Sequence, residues 1–232
     1  AGKMLASGDS WCFRTDRDLA REAGTKYDDL KGNETKKYSE EELAEHNVLY
    51  EQERIRGSLP RYFEEVEVGQ SLPKLAKGPM TVTGFICYAQ GWGGLYIRAN
   101  KLAWQMQARH PATGIKNKYG IPDCPERVHW EEEFACKVGA PGAYDYGPER
   151  CSWLSHSITN WIGDSGRLIH LYSEIRRHNP VGDLIVIEGE VTAKRKENGK
   201  NLVDFELVAK NQDGELSAKG KATASLPSRG SK

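Results

Sequence analysis

No stretch of the 232 residues is apolar for long enough to cross a bilayer, and no basic start leads into an apolar core at the N-terminus. A membrane span and a secretory signal are therefore not indicated, and a cytoplasmic setting is the expectation. Cysteine is scarce and scattered. Cys12, Cys87, Cys124, Cys136 and Cys151 form an odd set, and no two have Cys-x-x-Cys spacing. Reduced thiols and no metal site follow from that spacing. Formal net charge is zero with no block of Lys and Arg, which argues against nucleic acid as the main partner.

What is present divides into two parts. Residues 1–57 are dense in charge and poor in large aliphatics. EEELAEHNVLYEQERI reads as a helix whose Leu43, Val48, Leu49 and Ile55 need something to pack on, so residues 1–57 are expected to form an arm lying over a domain of residues 58–228 or over a partner. In that domain RYFEEVEVGQSLP suits an edge strand, ended by Gly69 and Pro73. GPMTVTGFICYAQGWGGLYIRANKLAWQMQARHP reads as helical, cut in two by Gly91, Gly93 and Gly94.

The second half is clearer. Between Cys151 and Gly163 there is no charged residue, while Leu154, Ile158 and Trp161 share one stripe and Trp153, His156 and Asn160 a neighbouring one. A helix without a charged face is covered on most sides. RLIHLYSEIRR then alternates with period two, placing Ile169, Leu171, Ser173 and Ile175 on one face, and LIVIEGEVTAKR alternates through Ile185, Ile187, Gly189, Val191 and Ala193. Asn198-Gly199 and Asp213-Gly214 are strong hairpin signals around NLVDFELVAK and before ELSAKGKATASL. Four antiparallel strands after one buried helix describe an α+β domain, a sheet curled around its helix, which is the hot-dog architecture.

PRYFEEVEVGQSLP, GPMTVTGF, VHWEEEFACKVGAPG and NWIGDSGRLIHLYSEIRRHNPVGDLIVIEGEV, in that order over Tyr62 to Pro227, resemble the MaoC-like acyl dehydratases and R-specific enoyl-CoA hydratases. That family's catalytic motif is Gly-Asp-x-Asn-Pro-Ile/Leu-His. By the resemblance His129 matches its histidine, since Glu132, Glu133, Phe134 and Ala135 follow at the family's offset. Five positions earlier stands Cys124 rather than aspartate, Asp123 is one residue further off, and Glu126 occupies the asparagine position. An inserted helical segment of roughly thirty residues separates this histidine from the helix before it. The family's His-Gly pair at the start of its central helix corresponds to Tyr146-Gly147, with Pro148 in the first turn.

The resemblance implies reversible addition of water to a 2-enoyl-CoA thioester, with coenzyme A as part of the substrate and no cofactor. His129 is the expected base, oriented by Asp123, Glu126 or Asp145. Gly147, with Tyr144, Tyr146 and Arg150 around it, is expected to bind the thioester oxygen at the helix N-terminus. Asp145 is equally suited to capping the helix, and Arg150 needs an acidic partner, whether a loop acid or a substrate carboxylate. His156 is expected in the core and Asp164 in a turn. Arg176, Arg177 and Lys194 are expected either on coenzyme A phosphates or in solvent. Trp92, Tyr96 and Trp104 hint at a bulky acyl group. Two other activities fit the same architecture: an acyl-CoA thioesterase, and a non-catalytic subunit shaping the pocket of a related hot-dog chain. A dimer or higher even assembly is expected, because one helix leaves a sheet with an open strand edge.

Overall fold

The computed structural model describes residues 3–12, 35–92 and 100–230. Helix α1, Glu40–Glu51, begins with a full capping box: the Glu42 N–H donates to Ser39 Oγ at 3.2 Å, and the Ser39 N–H donates to the Glu42 carboxylate at 2.9 Å. No residue of α1 is buried. Leu43, Val48 and Ile55, expected to pack, are exposed. Polar contacts hold this segment instead. The Tyr38 hydroxyl donates to the Gly182 carbonyl, the Tyr50 hydroxyl to the Gly78 carbonyl, and the Asp164 N–H to the Gly57 carbonyl.

Residues 61–73 do not form the expected strand. Phe63–Glu65 is a single 3-10 turn, Gly69 bends the chain at φ 86°, and Pro73 has no N–H to give to a ladder. The segment still follows a sheet edge, since the Gly69 and Leu72 N–H groups donate to the carbonyls of Val191 and Gly189, both at 2.8 Å. The regular strand is β1, Leu75–Lys77. Helix α2 is Val82–Trp92 and helix α3 is Lys101–Arg109, while the expected break at Gly93 and Gly94, and Tyr96, lie outside the described residues. A small hairpin of β2, Ile115–Lys116, and β3, Pro122–Asp123, leads into a 3-10 turn, Pro125–His129, and helix α4, Glu132–Lys137.

Helix α5, Gly147–Ile162, is the centre of the domain. After it run β4, Arg167–Ile175, β5, Ile185–Glu197, β6, Lys200–Asn211, and β7, Leu216–Leu226. They join β1 in one antiparallel sheet of order β1-β5-β6-β7-β4. Asn198 and Gly199 both take positive φ, 50° and 72°, the backbone a tight hairpin needs. Leu154, Ile158, Trp161 and Ile162 of α5 pack into the concave face among Ile185, Ile187, Val203, Phe205 and Leu207. Gly220 of β7 makes room for the helix: a Cβ there would stand 2.8 Å from the Tyr172 carbonyl oxygen and 3.1 Å from Leu154 Cδ1.

Strand β4 corrects one expectation. Ile169 and Ile175 are exposed, because the register shifts between Leu168 and His170 and because β4 is an edge; Leu171 of the same expected face does pack on the core, joined there by Leu168. No helix among the described residues is long and apolar enough to cross a membrane.

Candidate active site

His129 ends the 3-10 turn that follows the β2–β3 hairpin, and this turn delivers it to the N-terminus of α5. Its ring stacks on the Tyr146 ring at 3.7 Å between centroids and meets Tyr144 edge-on at 4.6 Å. The side chain is only 13% exposed, so it is not a surface histidine. Nδ1 lies 2.9 Å from the Tyr144 carbonyl oxygen. A carbonyl can only accept, so Nδ1 carries the proton and Nε2 keeps its lone pair. The orienting group is thus a backbone carbonyl and none of the three carboxylates expected in that role.

Glu126 lies on the other side of the ring, with Oε2 3.7 Å from Nε2. The i, i+3 spacing on a 3-10 turn stacks the two side chains over each other. Burial pushes the Glu126 carboxyl up and the His129 imidazole down. Each shift moves its group toward its neutral form, and burial is the main cause of both. Tyr146 closes the group. Its hydroxyl is buried with no hydrogen bond of good geometry, and burial together with the neighbouring Glu126 carboxylate raises the phenol far above its ordinary value. Tyr88 and Trp92 of α2 lie 5.5 Å and 6.1 Å from the Tyr146 ring.

Asp123 is not brought to His129. Its carboxylate accepts from Asn117 Nδ2 at 3.1 Å and from the Cys124 N–H at 2.7 Å, and it lies 3.8 Å from Arg127 Nε. Asp145 goes elsewhere too. It is fully buried, 2.9 Å from Arg150 Nε, and accepts from the Asn179 N–H at 3.0 Å and Asn179 Nδ2 at 2.6 Å. Burial raises its pKa to about 6, against the opposing charge of Arg150. Asp145 is therefore no helix cap: it ties the loop before α5 to the turn before β5, and Arg150 finds its acid there.

The N-cap of α5 is Tyr146, which makes no side-chain capping bond, and Pro148 has no N–H. Among the described residues nothing accepts from the Gly147 N–H. A Cβ at Gly147 would meet nothing within 4 Å, so there is open space beside this residue. The helix dipole adds partial positive charge there, which suits an oxygen gaining negative charge.

One residue had no assigned role in the sequence. Glu149, in the first turn of α5, has its pKa raised to about 7 by burial and by Asp145, and its Oε2 is buried without a hydrogen-bond partner. Its signal was an acid at the head of an otherwise uncharged helix. Of the remaining expectations, Arg177 pairs with Glu215 and Lys194 donates to the Val66 carbonyl, while Arg176 pairs with Glu174. His156 is half-buried rather than in the core.

No sequence-family model and no curated protein sequence matches the chain. Solved structures do. R-hydratase PhaJ1 from Pseudomonas aeruginosa superposes with a TM-score of 0.51 at 18% identity, covering 72% of this chain and 86% of its own. The (R)-hydratase from A. caviae involved in PHA biosynthesis gives 0.50 at 19% identity, covering 71% and 99%. A putative MaoC domain protein dehydratase from Chloroflexus aurantiacus gives 0.52 at 13% identity, covering 75% of this chain and 42% of its own. At such identities the likeness is one of fold: the chain has the hot-dog fold of MaoC-like dehydratases and R-hydratases.

Proposed function

We propose that the protein adds water to, or removes it from, an acyl-CoA thioester at the C2–C3 bond, with His129 as base, Glu126 as acid and the Gly147 N–H as oxyanion donor. The observation that carries this is the His129–Glu126 pair at the uncapped start of the buried helix. Nε2 takes a proton from water as its oxygen bonds to C3. Negative charge moves to the thioester oxygen, which the Gly147 N–H and the helix dipole stabilise. The Glu126 carboxyl gives its proton to C2. His129 is then imidazolium beside a carboxylate at 3.7 Å, and return of that proton restores the neutral pair. Loss of water runs the same steps backwards. Coenzyme A enters as part of the substrate, and the scheme calls on no cofactor.

The unit that works is a pair of hot-dog domains, two copies of this chain or this chain with a related one. Supporting this, the β4 edge presents Ile169, Tyr172 and Ile175 to solvent, a combination that isolated edges avoid. A cytoplasmic setting, where acyl-CoA is made and used, fits five unpaired cysteines.

Hydration of a panel of 2-enoyl-CoA esters, followed by loss of the conjugated thioester absorbance, tests the assignment. His129→Ala is expected to lower kcat by ~10²–10⁴ with an unchanged circular dichroism spectrum. Glu126→Gln keeps the shape but cannot supply the C2 proton, and is expected to fall into the same range. Asp123→Asn should leave turnover within about twofold, as its carboxylate faces Asn117 and Arg127. A His129→Ala chain with full turnover removes the reading. Cleavage to free thiol instead of hydration would move the activity to a thioesterase.

A further inference from the structure

A second cluster of titratable groups lies along α5, assembled from three segments distant in the chain. Lys77 ends β1 and places Nζ 2.8 Å from His156 Nδ1. An ammonium can only donate, so Nδ1 accepts and the proton of the neutral ring sits on Nε2. Nε2 lies 3.5 Å from Glu53 Oε1, and that same oxygen accepts from Asn160 Nδ2 at 2.9 Å. Glu53 follows α1 and so comes from the N-terminal segment. It keeps its place because the segment is pinned to the domain by the Tyr50 hydroxyl on the Gly78 carbonyl, next to Lys77.

The sequence of contacts is amine, imidazole, carboxylate. In nucleophilic catalysis this order lets the imidazole take the nucleophile's proton while the carboxylate fixes the ring and steadies its charge. Burial works the same way here, drawing both Lys77 and His156 toward their neutral forms, with Glu53 opposing in each case. The other charged group facing Lys77 is Glu149. Among the described residues Lys77, His156 and Glu53 share no hydrogen bond or ion pair with His129 or Glu126, so the hydration scheme has no use for them.

We propose that Lys77 is a nucleophilic amine that accepts acyl groups from acyl thioesters, with His156 as its base and Glu53 as the residue that positions that base. The thioester as donor rests on the function proposed above; the reactivity of the amine does not. In the step, His156 Nδ1 takes one proton from the Lys77 ammonium. The free amine attacks the carbonyl carbon, a C–N bond forms and the C–S bond breaks. The second proton on nitrogen leaves with the sulfur as free thiol, and the imidazolium releases its proton to water. No oxidant or reductant is involved. The product is a neutral N-acyl-lysine.

The test uses the full folded chain with two probes in separate arms: limiting N-hydroxysuccinimidyl acetate, and acetyl-CoA. Peptide mass spectrometry reads the initial acetylation rate of every lysine. Lys77 is expected to react roughly tenfold or more ahead of exposed lysines such as Lys137 and Lys221 in both arms. His156→Gln should bring it down to their level, and Glu53→Gln part of the way, with circular dichroism confirming that each variant is folded. Lys77→Arg should retain enoyl-CoA hydration. A Lys77 rate no higher than that of Lys137 in the first arm overturns the nucleophile. Fast labelling by the ester with none by acetyl-CoA overturns the thioester as donor. A chain that hydrates no enoyl-CoA but acetylates Lys77 from acetyl-CoA sinks the hydratase and supports this site.

Discussion

Helices α1 and α5 are 12 and 16 residues long and are stabilised in opposite ways. Helix α1 has a complete capping box and three glutamates in its first turn, yet buries nothing. Helix α5 buries Trp153, Leu154, Ile158, Trp161 and Ile162, yet no side chain caps its start. An exposed helix gains little from packing, so the bonds at its ends weigh more, both its capping box and the Tyr50 hydroxyl on the Gly78 carbonyl. A buried helix is fixed by packing and can leave its first N–H groups for a ligand. The proposed chemistry sits on the helix that can spare its cap.

The largest effect should come from the buried anchor of α5. Asp145→Ala leaves Arg150 charged and unpaired in the interior, and is expected to cost about 3–5 kcal/mol in urea unfolding. A loss under about 1 kcal/mol would mean that the loop before α5 is held by other contacts.

The same residue gives a pH signature. Its folded-state pKa is raised from 3.8 to about 6, so the folded chain holds this proton more tightly than the unfolded chain does. Stability therefore falls as pH rises from 3.8 to about 6, and below that window the contribution is fully restored. Asp145→Asn should lack this component. The gap between wild-type and variant urea midpoints, followed across the window, must change in that direction.

The smallest effects belong to α1. Ser39→Ala removes one half of the capping box and should cost about 1 kcal/mol at most. Leu43→Ser on its exposed face should change stability by less than about 0.5 kcal/mol. If Leu43→Ser matters as much as Ser39→Ala in a thermal melt, the arm packs on something in solution, and the contrast between the helices narrows.

The strands and the buried helix were legible because their signals are local. Alternation needs only neighbouring residues, Asn198-Gly199 sets its own turn, and a run from Cys151 to Gly163 without charge has few fates but burial. The edge at 61–73 was misread because Gly69 and Pro73, which end the apolar pattern, also keep it out of the ladder. His129 was legible only through family resemblance. Its partner was ambiguous since spacing alone does not say that Pro125–His129 is a 3-10 turn, which brings Glu126 over the ring and leaves Asp123 with Arg127. The grouping of Lys77, His156 and Glu53 could not be read at all. They come from a short strand, a central helix and an arm, and only tertiary packing gives them a common place.

The uncapped start of α5 carries one more consequence. Any thioester whose oxygen accepts the Gly147 N–H adds to the folded state a contact that the unfolded chain lacks. Such a ligand raises the melting temperature by mass action, by about 2.7 kcal/mol of added stability at a hundred times its Kd. The rise depends on occupancy alone and needs no turnover. A melting screen of the Lys77→Arg chain over saturated acyl-CoA esters of graded bulk, which the proposed hydration cannot consume, should therefore rank the acyl groups that the proposed site accepts by how much heat the protein withstands.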